Sequence, residues 1–135
     1  MTARILIVED EALVAMELRL VLEDLGYAVV GAAPDARSAR ALATLGKAEL
    51  ALVDIHLSDG PTGIGLGREL GEEFGVTVIY MTANPGMVSH GVPGTMGVLT
   101  KPTDERAVRE AVEYALTLRR GGPAPAVPDG LLVFG

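Results

Sequence analysis

Hydrophobic and polar positions follow two patterns that alternate along the chain. The first is a short, nearly continuous apolar run rich in branched residues, which is typical of a strand buried on both faces of a parallel sheet. Five such runs are present: RILIV (Arg4 to Val8), AVVGA (Ala28 to Ala32), LALVD (Leu50 to Asp54), TVIYM (Thr77 to Met81) and TMGVLT (Thr95 to Thr100).

The second pattern is a longer segment with apolar residues at the 3.6-residue spacing of a helix. It is clearest in Glu11 to Leu25 and in Asp104 to Arg120, where Thr103 is placed to cap the first turn. Asp35 to Leu45 is Ala-rich and amphipathic, whereas the glycines within Thr62 to Phe74 lower its helix propensity. The order is therefore strand then helix, repeated five times, which predicts a doubly wound α/β fold with helices on both faces of a parallel sheet.

Two segments depart from this order. Asn84 to Gly94 should hold the fourth helix but contains two prolines and three glycines, so we expect either a short, mobile or irregular helix or an ordinary loop. Gly121 to Pro128 is a Pro/Gly/Ala linker, and the apolar Leu131 to Phe134 behind it could dock on its own domain, dock on a neighbour or hang free. We predict one domain over residues 1–120 and a tail over residues 121–135.

Composition and charge narrow the function classes. The 135 residues suit a single domain, and the lack of cysteine excludes disulfides and thiolate chemistry. Eighteen acidic and eleven basic residues give a net charge of −7, which argues against direct nucleic-acid binding. There is no signal-peptide pattern at the start and no apolar run near the roughly 20 residues of a membrane helix, so we expect a soluble cytoplasmic protein.

Polar side chains follow four of the five predicted strands. They are Glu9 and Asp10 after the first strand, Asp54 at the end of the third, Thr82 after the fourth and Lys101 after the fifth. Because the carboxyl ends of parallel strands meet at one edge of the sheet, we expect these groups to share a pocket. An unpaired buried carboxylate is costly, so Asp54 is expected to have a partner or a chemical role.

Three clustered carboxylates favour a hard divalent cation, and Mg²⁺ accepts such oxygen ligands. Zinc fits poorly because the chain has no cysteine and only two histidines. A phosphoryl group on Asp54 would lie near the metal, Thr82 and Lys101, which supply positioning and charge neutralisation. Two simpler readings remain: Glu9 and Asp10 as helix-start acids, and Asp54 as a structural partner of Lys101.

Four motifs in register resemble the receiver domain of bacterial two-component response regulators, which accept phosphate on an aspartate. They are VEDE (Val8 to Glu11), LVDIHLSDG (Leu52 to Gly60), MTA (Met81 to Ala83) and TKP (Thr100 to Pro102). The resemblance covers roughly Ala3 to Arg120 and looks most like stand-alone, single-domain receivers of alphaproteobacterial type. It implies a flavodoxin-like (βα)5 fold with strand order 2-1-3-4-5.

The resemblance also implies a role for each site residue. Asp54 would be the phosphoacceptor, and Glu9 and Asp10 would hold Mg²⁺ together with Asp54 and the backbone carbonyl of His56. Thr82 would bond the phosphoryl group. Lys101 would pair with it and precede a cis Pro102.

One position departs from the family pattern. Receivers usually carry an aromatic residue three positions before the lysine, where this chain has Val98. We hypothesise that the flexible Asn84 to Gly94 segment takes over the conformational response when Asp54 is modified.

The implied function is that of a phosphorelay receiver, in which Mg²⁺-dependent phosphorylation of Asp54 shifts conformation and partner binding. The donor would be a histidine kinase or phosphotransfer protein and the output partner another protein, with a homodimer through strand five and the last helix as a further possibility. Such a receiver promotes its own phosphorylation and hydrolysis, which makes its status as an enzyme ambiguous. The alternatives are a phosphohydrolase of the haloacid-dehalogenase group, which usually has an acid where this chain has His56, and a receiver-like interaction module that is not phosphorylated.

Overall fold

Strands and helices alternate along the chain as the hydrophobic pattern predicts. The structure is a computed structural model that describes residues 2–134, so Met1 and Gly135, the outer ends of the predicted ranges 1–120 and 121–135, lie outside the described residues. The elements are β1 (Arg4–Val8), α1 (Ala12–Asp24), β2 (Ala28–Ala33), α2 (Ala36–Gly46), β3 (Leu50–Asp54), α3 (Gly63–Glu73), β4 (Thr77–Thr82), a 3-10 helix (Pro85–Val88), β5 (Gly97–Thr100), α4 (Glu105–Arg119) and β6 (Leu131–Val133).

The strands form one six-stranded sheet in the order β2-β1-β3-β4-β5-β6. The first five strands pair in parallel, which confirms the predicted α/β class and the order 2-1-3-4-5 among those five. The prediction of a purely parallel sheet is wrong at one edge, where β6 pairs with β5 in the antiparallel direction. Without β6, the edge of β5 would present unpaired N–H and C=O groups. A short apolar segment can pair with them when its linker is long enough to reach this edge.

The tail therefore docks on its own domain. In the register of β6, Leu131 lies opposite Leu99 and Val133 lies opposite Gly97. Leu131 is only 5% exposed and belongs to the core, whereas Leu132 points outward and is 48% exposed. This alternation is what a strand with one buried face requires.

Both faces of the parallel sheet are buried, and each strand contributes to both cores. In β1, Ile5 and Ile7 face the core formed with α1 and α4, whereas Leu6 and Val8 face the core formed with α2 and α3. Successive residues of a strand point to opposite faces, so a continuous apolar run is needed when both faces are covered. The helices therefore sit two on each side, and they leave the carboxyl ends of the strands open.

Glycines in α3 let this helix approach the centre of the sheet. A side chain at Gly63 would collide with the Asp54 carbonyl oxygen, and one at Gly67 would collide with the Tyr80 ring. At Gly65, by contrast, a Cβ would meet nothing within 4 Å. Two of the glycines that weaken the helical pattern of α3 are thus needed for its packing beside the strand that ends in Asp54.

The segment from Asn84 to Gly94, here called the 84–94 segment, contains only the short 3-10 helix. This confirms the predicted irregular fourth helix, so the described residues contain four α-helices and not five. Proline stands at the first position of the 3-10 helix, whose first turn is closed by the bond from the Met87 N–H to the Asn84 carbonyl at 3.2 Å.

The α-helices are short, from 11 residues in α2 and α3 to 15 in α4. A membrane span needs about 20 apolar residues, and no helix in residues 2–134 meets the length and hydropathy that this requires. At the start of α4 the Asp104 carboxylate accepts a bond from the Ala107 N–H at 2.7 Å. Asp104 is thus the cap, and the prediction of Thr103 is wrong by one residue.

Candidate functional site

The registers of the parallel strands bring the predicted site residues to one edge of the sheet. The paired positions near the carboxyl ends are Val8 with Val53, Asp54 with Met81, and Thr82 with Thr100. Each predicted side chain is at or directly behind one of these strand ends. Short loops leave little freedom there, so the groups converge on one region.

Glu9, Asp10 and Asp54 form an acidic cluster. One carboxylate oxygen from each lies within 4.8 Å of the other two, and this is the only group of three or more His, Cys, Asp or Glu side chains so arranged in residues 2–134. Glu9 and Asp54 are 3% and 8% exposed, while Asp10 is open to solvent. The cluster is therefore reached from outside through Asp10.

Lys101 is the cation inside this cluster. Its Nζ donates to Glu9 Oε1 at 2.7 Å and to Asp54 Oδ2 at 2.9 Å. Every buried side-chain nitrogen and oxygen in the described part of the chain has a hydrogen-bond partner. Asp54 is thus tolerated at the end of a buried strand because an ammonium group meets it there.

The pKa values of Glu9 and Lys101 are both raised. For Glu9, burial raises the pKa and outweighs the bonds it accepts from Lys101 and from the Glu11 N–H at 3.2 Å. For Lys101, burial lowers the pKa, but the hydrogen bonds to Glu9 and Asp54 outweigh this and raise it above the usual value. Lys101 is therefore a cation at neutral pH, and Glu9 takes up a proton more readily than an exposed glutamate.

Thr82 and His56 border the acids in different ways. Thr82 is 3% exposed, and its Oγ1 accepts a bond from the Asn84 N–H at 3.0 Å. The backbone N–H of His56 donates to Asp54 Oδ1 at 3.3 Å, while the residue is exposed. The imidazole is not part of the acidic cluster, so only the His56 backbone is placed at the site.

Asp59 is a structural residue of the loop that follows β3 and Asp54, and sequence analysis leaves it without a role. Its Oδ1 accepts from the Thr62 hydroxyl at 2.6 Å and its Oδ2 from the Ala36 N–H at 3.3 Å. The Thr62 bond lowers the pKa of Asp59. Asp59 thereby ties the loop after β3 to the start of α2, and the signal that could have found it is a threonine three residues after an aspartate in a turn sequence.

The chemistry of this donor set fits a hard divalent cation. Three carboxylates and one ammonium leave two net negative charges when all are ionised, and all the acidic groups offer oxygen. Oxygen-only sets suit Mg²⁺ or Ca²⁺, whereas zinc sites usually include histidine or cysteine. Glu9, Asp10 and Asp54 are the residues that could hold such an ion.

Comparison with known proteins agrees with this geometry. The family model of the response regulator receiver domain matches residues 5–113. The chain belongs to this receiver family. Val98, the position that departs from the receiver pattern, is 1% exposed and lies opposite Tyr80 of β4, so it is a core residue of this receiver.

Two curated relatives are informative about the receiver. The phyllosphere-induced regulator PhyR of Methylorubrum extorquens is 36% identical over 118 residues, which cover 86% of this chain and 44% of the relative. The transcriptional regulatory protein PdtaR of Mycobacterium tuberculosis is 32% identical over 117 residues, which cover 84% of this chain and 57% of the relative. The chain spans about half the length of these relatives.

Solved structures show the same receiver architecture. The response regulator PhyR of Brucella abortus superposes with a TM-score of 0.80 at 32% identity, covering 90% of this chain and 50% of that one. The receiver domain of Erythrobacter litoralis PhyR superposes with a TM-score of 0.80 at 31% identity, covering 92% and 97%. The likeness to the second structure spans nearly all of both chains.

Proposed function

We propose that this receiver is a phosphoacceptor whose Asp54 takes a phosphoryl group in a two-component or phosphorelay system. The observation that carries the proposal is the placement of Asp54, which lies in a cluster of three acids and is bonded to Lys101 at 2.9 Å. In the proposed assignment, Glu9, Asp10 and Asp54 would hold Mg²⁺ together with the His56 carbonyl oxygen. Bound Mg²⁺ would offset the charge of the acids and of the incoming phosphoryl oxygens.

The residues of the chain then divide the chemistry. An Asp54 carboxylate oxygen forms the new bond to phosphorus, while the bond from phosphorus to the donor atom breaks. The Lys101 ammonium, which bonds Asp54 in this structure, would pair with a phosphoryl oxygen once the negative charge lies on the phosphoryl group instead of the carboxylate. The Thr82 hydroxyl, whose oxygen accepts from the Asn84 N–H in this structure, would turn to donate its proton to another phosphoryl oxygen.

The phosphodonor would be a histidine kinase or phosphotransfer protein that docks beside the acids. Helix α1 starts three residues after Glu9 and exposes Leu13, Met16 and Leu20 by 66%, 58% and 58%. Their spacing places them along one side of α1, and an apolar stripe next to the acceptor supports docking of a protein donor there. Small-molecule donors would need no such surface.

The output is proposed to be a protein–protein contact. The Bartonella quintana relative, at 29% identity and a TM-score of 0.79 over 90% of this chain and 50% of that one, is described as an anti-anti-sigma factor. Proteins of that kind act by binding other proteins, so a protein partner is proposed for this receiver too. A homodimer through strand five and the last helix is a second proposal. With β6 on the edge of β5, such a dimer would contact β6 and α4 or require β6 to leave.

The test is incubation of the purified chain with Mg²⁺ and acetyl phosphate, followed by intact mass. We expect an added mass of one phosphoryl group. EDTA added before acetyl phosphate should prevent this adduct, and so should Asp54→Asn. Hydroxylamine added after the reaction should remove it. The matched control is Asp24→Asn, an exposed aspartate at the end of α1, which should label like the wild type. A missing adduct, or one that Asp54→Asn retains, would overturn the proposal.

The same reaction separates the alternatives. A phosphohydrolase would hydrolyse many molecules of p-nitrophenyl phosphate per molecule of protein. A receiver would hydrolyse only the phosphoryl group on its own Asp54, and slowly. A module that is not phosphorylated would give neither adduct nor turnover.

A further inference from the structure

The tail is held on the domain by a short strand and one aromatic side chain. Beyond the β6 pairing, the Phe134 N–H donates to the Met96 carbonyl at 2.9 Å, and the half-buried Phe134 side chain joins the core on the α2–α3 face. Residues 123–127, which lead to this strand from α4, are all exposed. The tail is therefore fixed at its end, while most of its linker is exposed to solvent.

The surface that β6 and Phe134 pack against, here called their seat, includes Gly97, Tyr80 and Gly91. Any side chain at Gly97 would collide with the Leu132 carbonyl oxygen, so glycine lets the backbone of β6 come close. The Phe134 ring lies 6.5 Å from the Tyr80 ring at an angle of 45°, and a Cβ at Gly91 would lie 3.6 Å from the Phe134 Cβ. Phe134 thus packs between the buried β4 strand and the 84–94 segment.

The 84–94 segment connects the packing site of Phe134 with Thr82, which borders the acidic cluster. Its internal backbone bonds are local, such as the 3.2 Å bond from the Met87 N–H to the Asn84 carbonyl. At its first residue the Asn84 N–H is held by Thr82 Oγ1, and farther along Val88, 2% exposed, and Val92 lie in the same core as Phe134. One end of the segment is thus anchored at the acceptor site, and its apolar side is shared with the tail.

We propose that β6 and Phe134 form a releasable strap, whose docking weakens when Thr82 turns toward a phosphoryl group on Asp54. Turning the Thr82 hydroxyl moves the acceptor of the Asn84 N–H, so the 84–94 segment rearranges and the seat of Phe134 is lost. The strap then leaves, and the backbone groups of β5 become free to pair with an extended strand of a partner protein. The strap is an addition to the proposed phosphoacceptor function and rests on it.

Thermodynamic reciprocity makes the coupling measurable from both ends. If occupation of Asp54 loosens the strap by some factor, then releasing the strap must tighten binding at Asp54 by up to the same factor, which only complete release would reach. A side chain that only stabilises the fold has no reason to do this. Phe134 is the side chain to change, and Leu132 of the same strand is the control because it is 48% exposed.

The experiment uses the full chain with Mg²⁺ and beryllofluoride, which binds an unmodified acceptor aspartate and mimics its phosphorylated form. Amide hydrogen exchange is followed for residues 131–134 and for β4. We expect exchange in residues 131–134 to rise about tenfold on adding beryllofluoride, with β4 unchanged and no response in Asp54→Asn. A second measurement titrates beryllofluoride: Phe134→Ala should bind it about fivefold more tightly, Phe134→Leu less so, and Leu132→Ala like the wild type.

The outcomes distinguish the two proposals. Amide shifts around Asp54 with unchanged exchange in the tail would overturn the strap and leave the phosphoacceptor function standing. No shifts around Asp54 would count against the phosphoacceptor function, and the strap would fall with it. Equal or weaker beryllofluoride binding by a folded Phe134→Ala variant, verified by circular dichroism, would also overturn the strap.

Discussion

Lys101 Nζ lies 2.7 Å from Glu9 Oε1, and the Glu9 side chain has no exposed surface while that of Lys101 is 22% exposed. The two residues are 92 positions apart in the chain, so this contact joins the ends of β1 and β5. In the protein without a metal, the ammonium is the positive charge at the acids. Any ion that binds them must share them with Lys101.

Replacing Lys101 by methionine should destabilise the metal-free protein. Removing one partner leaves Glu9 and Asp54 buried without a cation, and a loss on the order of 3 kcal/mol is expected from the behaviour of broken buried pairs. Urea unfolding in EDTA measures this. The control is Arg106→Met, whose exposed pair with Glu110 at 3.3 Å should be worth less than about 1 kcal/mol. Equal losses in the two variants would show that the Lys101 contacts contribute little to folding.

Replacing Glu9 by glutamine should reveal a pH-dependent cost of the buried acid. Because the folded pKa of Glu9 is raised above 4.5, its contribution to stability is fully present below the unfolded pKa and is lost as pH rises through the folded pKa. In EDTA, Glu9→Gln and wild type should melt alike near pH 4, and the variant should melt higher at pH 7. With Mg²⁺ at pH 7 the order should reverse if Glu9 holds the ion as proposed, since the variant would then lose a ligand. A constant difference across pH would contradict this assignment.

Two glycines of α3 should respond in opposite directions to the same substitution. Gly65→Ala meets no atom within 4 Å and should stabilise the protein by roughly 0.5–1 kcal/mol through helix propensity. Gly67→Ala collides with the Tyr80 ring and should cost roughly 1–3 kcal/mol. Thermal melts of both variants under one condition give the comparison. A stabilising Gly67→Ala would contradict the close packing of α3 against Tyr80.

Neighbouring leucines of β6 test whether the tail is part of the core. Leu131→Ala removes a side chain that is 5% exposed and should lower the free energy of unfolding by about 2 kcal/mol. Leu132→Ala changes a side chain on the open face and should stay within about 0.5 kcal/mol. Denaturant melts compare the two. Similar small effects would show that the tail does not contribute to the stability of the domain.

The sequence predicts the features of the fold that depend on neighbouring residues, namely strand bounds and the polar residues at strand ends. The bounds of β1 and β3 match their apolar runs. Glu9 directly follows β1, and Asp54 and Thr82 are the last residues of β3 and β4, so the buried strands fix their positions. The start of β5 is predicted two residues early, since the Thr95 N–H bonds the Val92 carbonyl at 3.1 Å in a turn. Such a turn cannot be distinguished from a strand by hydrophobicity alone.

Long-range contacts are what the sequence leaves open. Nothing near Lys101 indicates that it would bond Glu9 as well as Asp54, because that contact depends on how β1 and β5 sit in the assembled sheet. The docking of Leu131 depends on where the linker lets the tail reach. The same holds for the glycines of α3, whose use becomes visible only once Tyr80 lies opposite Gly67.

The backbone hydrogen bond from Phe134 to Met96, just beyond β6, bears on where a label can be attached to the molecule. A fluorescent protein, affinity handle or surface linkage fused directly behind residue 135 would load an edge strand of only three residues and weaken its pairing with β5. Assays that use such fusions would therefore measure a protein in which the docking of β6 is weaker than in the untagged chain. A dye attached to an exposed position of α2, for example Arg37, would leave the docking of β6 unchanged.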